Sequence, residues 1–256
     1  MQKFGTMDFP EVNHSVAKSL GLEHNEYAQI QFLLGRKPNY PELYIFSAMW
    51  SDHVSLKNSI KWLKTLPLDG NRVLKEAGDE NAGLVDIGDG WVAAFKIESY
   101  NHPAMHHAFV SGANAVSSTL RDIYTLGARP LALMDSLRFG DPANAKAKTY
   151  IEEMVKGIGE YANAFGVPVV GGETNFDEAY TNSPLLNIMA TGMVKREKLI
   201  TSAPTYEDSV LYLAGAPTKA ESIHGIHMAS GSLEADKEFP RQNQANPYLG
   251  KKLMEA

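Results

Sequence analysis

The chain has 256 residues, 44% hydrophobic and 21% charged, a balance typical of a globular protein with a sizeable core. Its formal net charge of −6 argues against a nucleic acid partner, because a phosphate-backbone surface needs clustered lysine and arginine. The absence of cysteine excludes disulfides, thiolate metal sites and cysteine nucleophiles.

The N-terminal region predicts helices. Residues 1–10 lack a basic segment followed by an apolar run, and no later stretch approaches the ~20 apolar residues of a membrane span, so we expect no membrane contact and a cytoplasmic protein. Apolar spacing then favours helices over 16–20 and 26–34, and a third from Pro41 onward that ends at His53. We expect residues 1–56 to form a helical segment.

A connector and a hairpin follow. Residues 57–80 contain Pro67 and two glycines that break the periodicity, which is typical of a connector. The run 84–87, the turn Gly88-Asp89-Gly90 and the run 91–97 together predict a β-hairpin. The main domain therefore begins near residue 81.

Residues 95–103 follow the hairpin and are rich in polar side chains. Period-two alternation places Lys96 and Glu98 on one face of the strand. Strand ends are common ligand sites, but a Lys–Glu surface pair followed by a polar turn explains the pattern equally well. The residues alone leave both interpretations open.

The rest of the chain alternates helices and strands. The expected elements are a helix over 109–123, a strand over 130–136, a helix over 151–165 and strands over 167–170, 185–194 and 210–214. This order predicts an α/β (α+β) fold in which a mixed sheet carries helices on one face. We expect domain boundaries at 57–80 for the connector, 81–208 for the main domain and 209–256 for the start of another domain.

Three further features are ambiguous on spacing alone. His53 suits an imidazole near a reacting centre, although a capping or core histidine is the more common case. Arg121 flanks the apolar stripe of its helix and Asp122 lies nearly opposite, which favours two solvated charges. Gly171-Gly172 after a strand is a phosphate-approaching turn or an ordinary loop.

Six stretches together resemble the synthetase subunits of phosphoribosylformylglycinamidine synthase, members of the aminoimidazole-ribonucleotide-synthetase-like, or PurM-like, superfamily. These stretches are 49–53, 80–90, 95–103, 127–130, 136–141 and 166–173. The resemblance implies a PurM-like N-terminal, ATP-binding domain at 81–208 and a truncated PurM-like C-terminal domain after it. The chain would then cover roughly the first half of the family's length.

The resemblance also implies a reaction and its participants. Members of the family use ATP and Mg²⁺ to activate the amide oxygen of formylglycinamide ribonucleotide, and ammonia from a glutaminase partner displaces phosphate to give the amidine. The expected partners are the glutaminase, small accessory subunits, and either the missing half of the chain or a second copy in a homo-oligomer.

Site residues follow from matching positions in the family. By resemblance, His53 acts in catalysis, Lys96 contacts ATP, and Glu98 and Asp122 bind magnesium. The residues that the resemblance assigns to substrate binding are Ser99, Tyr100, Asn101, His102, Arg121 and Asn243.

Several of these positions depart from the family's pattern. Tyr100 stands in place of a second catalytic histidine, Leu56 in place of an ATP-site tyrosine, and Asn243 in place of a glutamine. A glycine-rich run is replaced by residues 105–118, which keep Gly112. These departures leave open a non-catalytic binding or assembly module, or an inactive or redesigned relative. A different phosphotransfer activity, such as a small-molecule kinase, is a third possibility.

Overall fold

The computed structural model describes residues 9–75, 78–204, 206–210, 212–216 and 244–256. These residues divide into two compact units, one ending at Leu66 and the other beginning at Pro67 and including the C-terminal segment. Across the described ranges, no helix is both long and apolar enough to cross a membrane.

The first unit is helical, as the sequence predicts. Its helices are α1 (His14–Ser19), α2 (His24–Leu34), α3 (Tyr40–Met49), α4 (Asp52–Ser55) and α5 (Ile60–Leu63). Asn39 caps α3 by accepting from the backbone of Glu42, whose side chain accepts from the backbone of Asn39 in return. Leu22, Ile30 and Leu43 fill a small core.

The second unit contains a five-stranded sheet. Its strands are β1 (Gly83–Gly88), β2 (Trp91–Tyr100), β3 (Arg129–Phe139), β4 (Val169–Phe176) and β5 (Leu185–Lys195). Its helices are α6 (His102–His106), α7 (Ala108–Tyr124), α8 (Ala145–Phe165) and α9 (Pro247–Glu255), with 3-10 turns at Glu178–Tyr180 and Arg196–Lys198. The order is β1-β2-β5-β3-β4, antiparallel except for β3 and β4. The predicted mixed sheet is confirmed.

The two faces of the sheet differ in burial. Alternate residues such as Val92 and Ala94 on β2 are fully buried in the core that α7 and α8 help to form, and we call this side the helix face. The side that carries Phe95 and Ile97, which are 38% and 61% exposed, is called the open face. Successive side chains along a strand therefore lie alternately in the core on the helix face and in the more exposed environment of the open face.

Two glycines set the distance between α7 and α8. A Cβ at Gly112 would lie 2.5 Å from the backbone oxygen of Met154, and a Cβ at Gly157 would clash with the backbone oxygen of Phe109. The helices thus approach backbone to backbone. Gly112, the glycine retained in residues 105–118, serves helix packing.

The predicted strand over 210–214 is wrong for the residues that the structure describes there. Val210 and residues 212–214 lie outside the sheet, and Leu213 is 95% exposed. An apolar run becomes a strand only when a neighbouring strand pairs with it, and none does here. Within the second unit, α9 packs against α7 and α8, and Glu255 at its end pairs with Arg129 at 2.7 and 2.8 Å. The domain boundaries stay predictions.

Candidate functional site

Four charged side chains meet between β2 and α7, and we call them the charge cluster. Lys96 Nζ lies 3.2 Å from Glu98 Oε1 and 3.2 Å from Asp122 Oδ2. Asp122 Oδ1 accepts from Nε and Nη2 of Arg121 at 3.0 and 2.9 Å. Lys96 and Glu98 share the helix face of β2, as the alternation predicts, and α7 brings Asp122 onto them.

Asp122 is buried, so the expectation of a solvated carboxylate is wrong. Its side chain is 5% exposed, whereas that of Arg121 is 58% exposed. The reason is that α7 packs against both the sheet and α8, and so buries two stripes instead of one. Thr119 and Asp122 belong to a stripe separate from that of Leu120, and a search for one apolar stripe misses it.

The charge cluster is electrostatically balanced around Lys96. Burial acts to lower the pKa of Lys96, but Glu98 and Asp122 outweigh it and the net pKa is raised. The side chain of Lys96 therefore stays protonated at neutral pH. It occupies the point on which both carboxylates converge.

This donor set fits a magnesium ion that is completed by other ligands. Mg²⁺ commonly takes one or two carboxylates and fills its shell with water and phosphate oxygens. Glu98 and Asp122 supply two carboxylates directed at one point. Among the described residues no group of three histidine, aspartate or glutamate side chains could hold a metal. An ion between these carboxylates would have to displace the ammonium of Lys96.

Tyr100 also lies on the helix face of β2. Its hydroxyl is 3.3 Å from Ser118 Oγ. Burial raises the pKa of Tyr100 above its ordinary value of ~10, and the hydrogen bond between Tyr100 and Ser118 only partly offsets this rise. The phenol therefore stays protonated at neutral pH and can donate a hydrogen bond, but it is a poor proton acceptor.

A cavity of about 370 Å³ lies beside Tyr100 and Arg121. One face of α7 contributes a stripe at i, i+3, i+4 and i+7 spacing to its wall: Asn114, Ser117, Ser118 and Arg121. Ser117 Oγ is buried and has no hydrogen-bond partner in the described part of the chain. Gln244 and Asn246 line the cavity from the C-terminal segment. Apart from Arg121, these residues were not predicted from the sequence, although the polar stripe within an otherwise apolar helix was a usable signal.

The remaining predicted substrate residues lie elsewhere. Asn101 Nδ2 donates to Ser183 O, Ser183 Oγ and Pro184 O at 3.2, 2.8 and 3.0 Å, which anchors the segment before β5. Ser99 lies on the open face, and His102 is buried in α6 with 7% exposure. Of the predicted substrate residues that the structure describes, Tyr100 and Arg121 line the cavity.

Of three further predicted positions, Leu56 is described in full, His53 only in part and Asn243 not at all. His53 lies within α4 of the first unit, but its side chain is outside the described set. Leu56 caps α4 in the left-handed conformation at φ 53°, which is uncommon for a bulky residue, and is 38% exposed. Asn243 lies outside the described residues, directly before Gln244.

Fold and site together define an AIR-synthase-type α/β domain preceded by a helical segment. Residues 79–194 match the family described as AIR synthase related protein, N-terminal domain, and residues 13–57 match the formylglycinamide ribonucleotide amidotransferase linker domain. The chain belongs to the family of phosphoribosylformylglycinamidine synthase subunit PurL. It is 45% identical to the PurL subunits of Chlorobaculum tepidum over 249 residues and Thermus thermophilus over 244 residues.

These alignments cover 96% and 94% of the chain but 33% of each relative, so the chain spans about a third of their length. Among solved structures, Thermotoga maritima PurL complexed with FGAR superimposes with a TM-score of 0.72 at 32% identity, over 91% of this chain and 36% of the other. The same subunit complexed with ADP gives a TM-score of 0.63 at 34% identity, over 72% and 29%.

Proposed function

We propose that the chain contributes to an ATP-dependent, amidine-forming ligase site of purine biosynthesis. In this reaction the γ-phosphoryl group of ATP is transferred to the amide oxygen of formylglycinamide ribonucleotide (FGAR), and ADP leaves. Ammonia from glutamine then displaces inorganic phosphate to give the amidine. The observation that carries the proposal is the convergence of Lys96, Glu98, Arg121 and Asp122 beside a cavity.

The relatives supply the ligand chemistry. Structures of Thermotoga maritima PurL are named as complexes with FGAR, ADP and ATP. The anionic groups of such ligands need cations, and Arg121 directs an exposed guanidinium toward the cavity. We assign Arg121 to the substrate and Lys96 to the phosphates of ATP.

Glu98 and Asp122 would hold magnesium. Magnesium held by these two carboxylates would neutralise phosphate oxygens of the nucleotide. Lys96 would pair with a phosphate once its ammonium no longer occupied the point between Glu98 and Asp122. Tyr100 acts as a hydrogen-bond donor to substrate, because its raised pKa opposes a role as general base.

Proton handling is assigned to His53, whose ordinary pKa lies near neutrality. Leu56 is assigned to an apolar contact with the nucleotide. Asn243 is assigned to a hydrogen bond between its carboxamide and the substrate. The proposed substrate set is completed by Ser99, Asn101 and His102. Asn101 contributes by holding the end of β2 in place through its hydrogen bonds to Ser183 and Pro184. The predicted main domain at 81–208 contains all the members of the charge cluster.

The proposed partners follow from a related assembly. One matching structure is named PurLQS from Thermotoga maritima. We propose that this chain also works with a glutaminase that supplies ammonia and with a small accessory subunit, in the cytoplasm. A second, similar half, either the C-terminal half of the family's chain or a second copy in a homo-oligomer, would complete the ATP site.

A phosphate-release assay tests the proposal. Purified chain is mixed with FGAR, ammonium, magnesium and ATP, with and without the remaining part of a relative's PurL chain. We expect phosphate release that requires FGAR and falls at least 100-fold in Asp122→Asn, while Glu152→Gln on the exposed side of α8 stays at the wild-type rate. FGAR-dependent turnover absent under both conditions would refute it.

A second candidate function is a non-catalytic binding or assembly module. It is favoured by Tyr100, which cannot replace a histidine base at neutral pH. Calorimetry with ATP and magnesium separates the two functions. Binding that Lys96→Ala abolishes supports a nucleotide site, whereas no binding by the wild-type chain favours the assembly role.

A further inference from the structure

A row of polar side chains crosses four strands on the open face of the sheet. Ser99 on β2 pairs in register with Asn187 on β5, which pairs with Ser136 on β3, which pairs with Glu173 on β4. We call this row the polar ladder. It starts beside the strand end where the substrate residues cluster in sequence.

The directions of the hydrogen bonds in the ladder are fixed by chemistry. Asn187 Nδ2 is 3.0 Å from the backbone oxygen of Ser136, which can only accept. The carboxamide is therefore oriented with Oδ1 toward Ser99, 2.7 Å from its Oγ. Because a carbonyl oxygen only accepts, the hydroxyl of Ser99 must donate to it.

The far end of the ladder is an anion. Ser136 Oγ donates to Glu173 Oε1 at 3.2 Å, and Arg138 Nη2 donates to the same oxygen at 2.5 Å. Arg138 and then Ser136 lower the pKa of Glu173, so the carboxylate is charged at neutral pH. The donors of the ladder point from β2 toward this charge, although Asn187 donates to the backbone oxygen of Ser136 and not to its hydroxyl.

We propose that Asn187 is a positioning residue that turns Ser99 into a pure hydrogen-bond acceptor toward its ligand. With its proton committed to Asn187, Ser99 Oγ offers lone pairs only. The ligand group at Ser99 is then a hydroxyl or an N–H, and not a phosphate oxygen. The inference rests on the proposed function, in which Ser99 contacts substrate, and it adds which part of the substrate is recognised.

FGAR contains both kinds of group. Its phosphate offers acceptor oxygens, whereas its ribose hydroxyls and amide N–H groups donate. Ser99 therefore reads the ribose or amide portion of FGAR, and the phosphate is bound by other groups. A serine with a freely rotating hydroxyl would not discriminate between these groups.

Calorimetric titration of the full chain with FGAR tests the positioning role. Ser99→Ala should weaken FGAR binding roughly 3- to 10-fold, the value of one neutral hydrogen bond. Asn187→Ala and the similarly sized Asn187→Leu should give a smaller loss, because the released hydroxyl still offers lone pairs, and no further loss in the Ser99→Ala background. Thr191→Val, on the same face of β5, is the matched control and should leave binding unchanged.

Additive losses from Ser99→Ala and Asn187→Leu would overturn the proposal, because a merely structural Asn187 acts regardless of Ser99. Inorganic phosphate is the second probe. Its affinity should be the same in wild type and Ser99→Ala, and an equal loss for phosphate and FGAR would also overturn it.

Neutron diffraction of the deuterated chain tests the orientation without any ligand. Deuterium between Ser99 Oγ and Asn187 Oδ1 supports the proposal, and deuterium directed elsewhere overturns it. If the wild-type chain bound no FGAR, the proposed function would fail. The neutron map would still decide how Ser99 is oriented.

Discussion

The substitution Asp122→Asn tests the electrostatic argument for the charge cluster. Asp122 is 5% exposed and contacts both Lys96 and Arg121, so the amide removes the charge that balances a partly buried ammonium. Breaking a buried ion pair costs about 3–5 kcal/mol. Lys96 and Arg121 are 23% and 58% exposed, and solvent screening should reduce the loss to about 2 kcal/mol. For a chain of this size that corresponds to a melting temperature lowered by roughly 4–8 °C.

The measurement should report on the second unit alone. The chain has three tryptophans, and Trp91 is the one on β2, so thermal unfolding is followed by Trp91 fluorescence in a Trp50→Phe, Trp62→Phe background. Glu152→Gln is the matched control, because its ion pair with Lys148 is long and exposed, and its melting temperature should stay within about 1 °C of the parent. A melting temperature equally unchanged in Asp122→Asn would refute the reasoning.

Three further predictions follow from the same site and its support. Lys96→Met should bind magnesium more tightly than wild type in calorimetry, because no ammonium competes for Glu98 and Asp122; weaker binding would contradict the assigned metal position. Gly112→Ala should lower the free energy of unfolding by about 1–3 kcal/mol in urea titration, since its Cβ meets the backbone of α8, and a neutral result would mean that the helices separate easily. In a spectrophotometric titration of tyrosine ionisation, the absorbance change that is present in wild type and missing in Tyr100→Phe belongs to Tyr100. This change should occur at a pH above the ordinary pKa of ~10. Because the folded pKa is raised, the stability that this phenol contributes is present below ~10 and is lost as the pH rises through the folded pKa.

Periodic patterns predicted most of the fold. The hairpin of β1 and β2 followed from two alternating runs around a glycine-rich turn, and α7 and α8 from long apolar stripes. These signals are local, so sequence spacing contains them. Pairing is not local: β4 extends to Phe176 because β3 lies beside it, whereas residues 212–214 lack a neighbour and form no strand.

The sequence predicted which charged residues belong to the candidate site better than it predicted how they are arranged. Alternation placed Lys96 and Glu98 together, but nothing in the spacing of α7 indicated that Asp122 would be buried against them. That burial depends on two surfaces packing on one helix. Similarly, the carboxamide of Asn101 resembles a ligand contact in sequence, yet it is committed to residues some 80 positions later.

The contact at Gly112 and Gly157 affects how this protein can change. Since backbone atoms set the spacing of α7 and α8, the placement of Arg121 and the serines of the cavity wall is insulated from side-chain variation on the outer surface of α8. Outer positions such as Glu152 can be substituted with little effect on the cavity. Neither glycine can acquire even a methyl group without moving the wall itself, so the shape of the cavity is more readily altered from the Gln244 side.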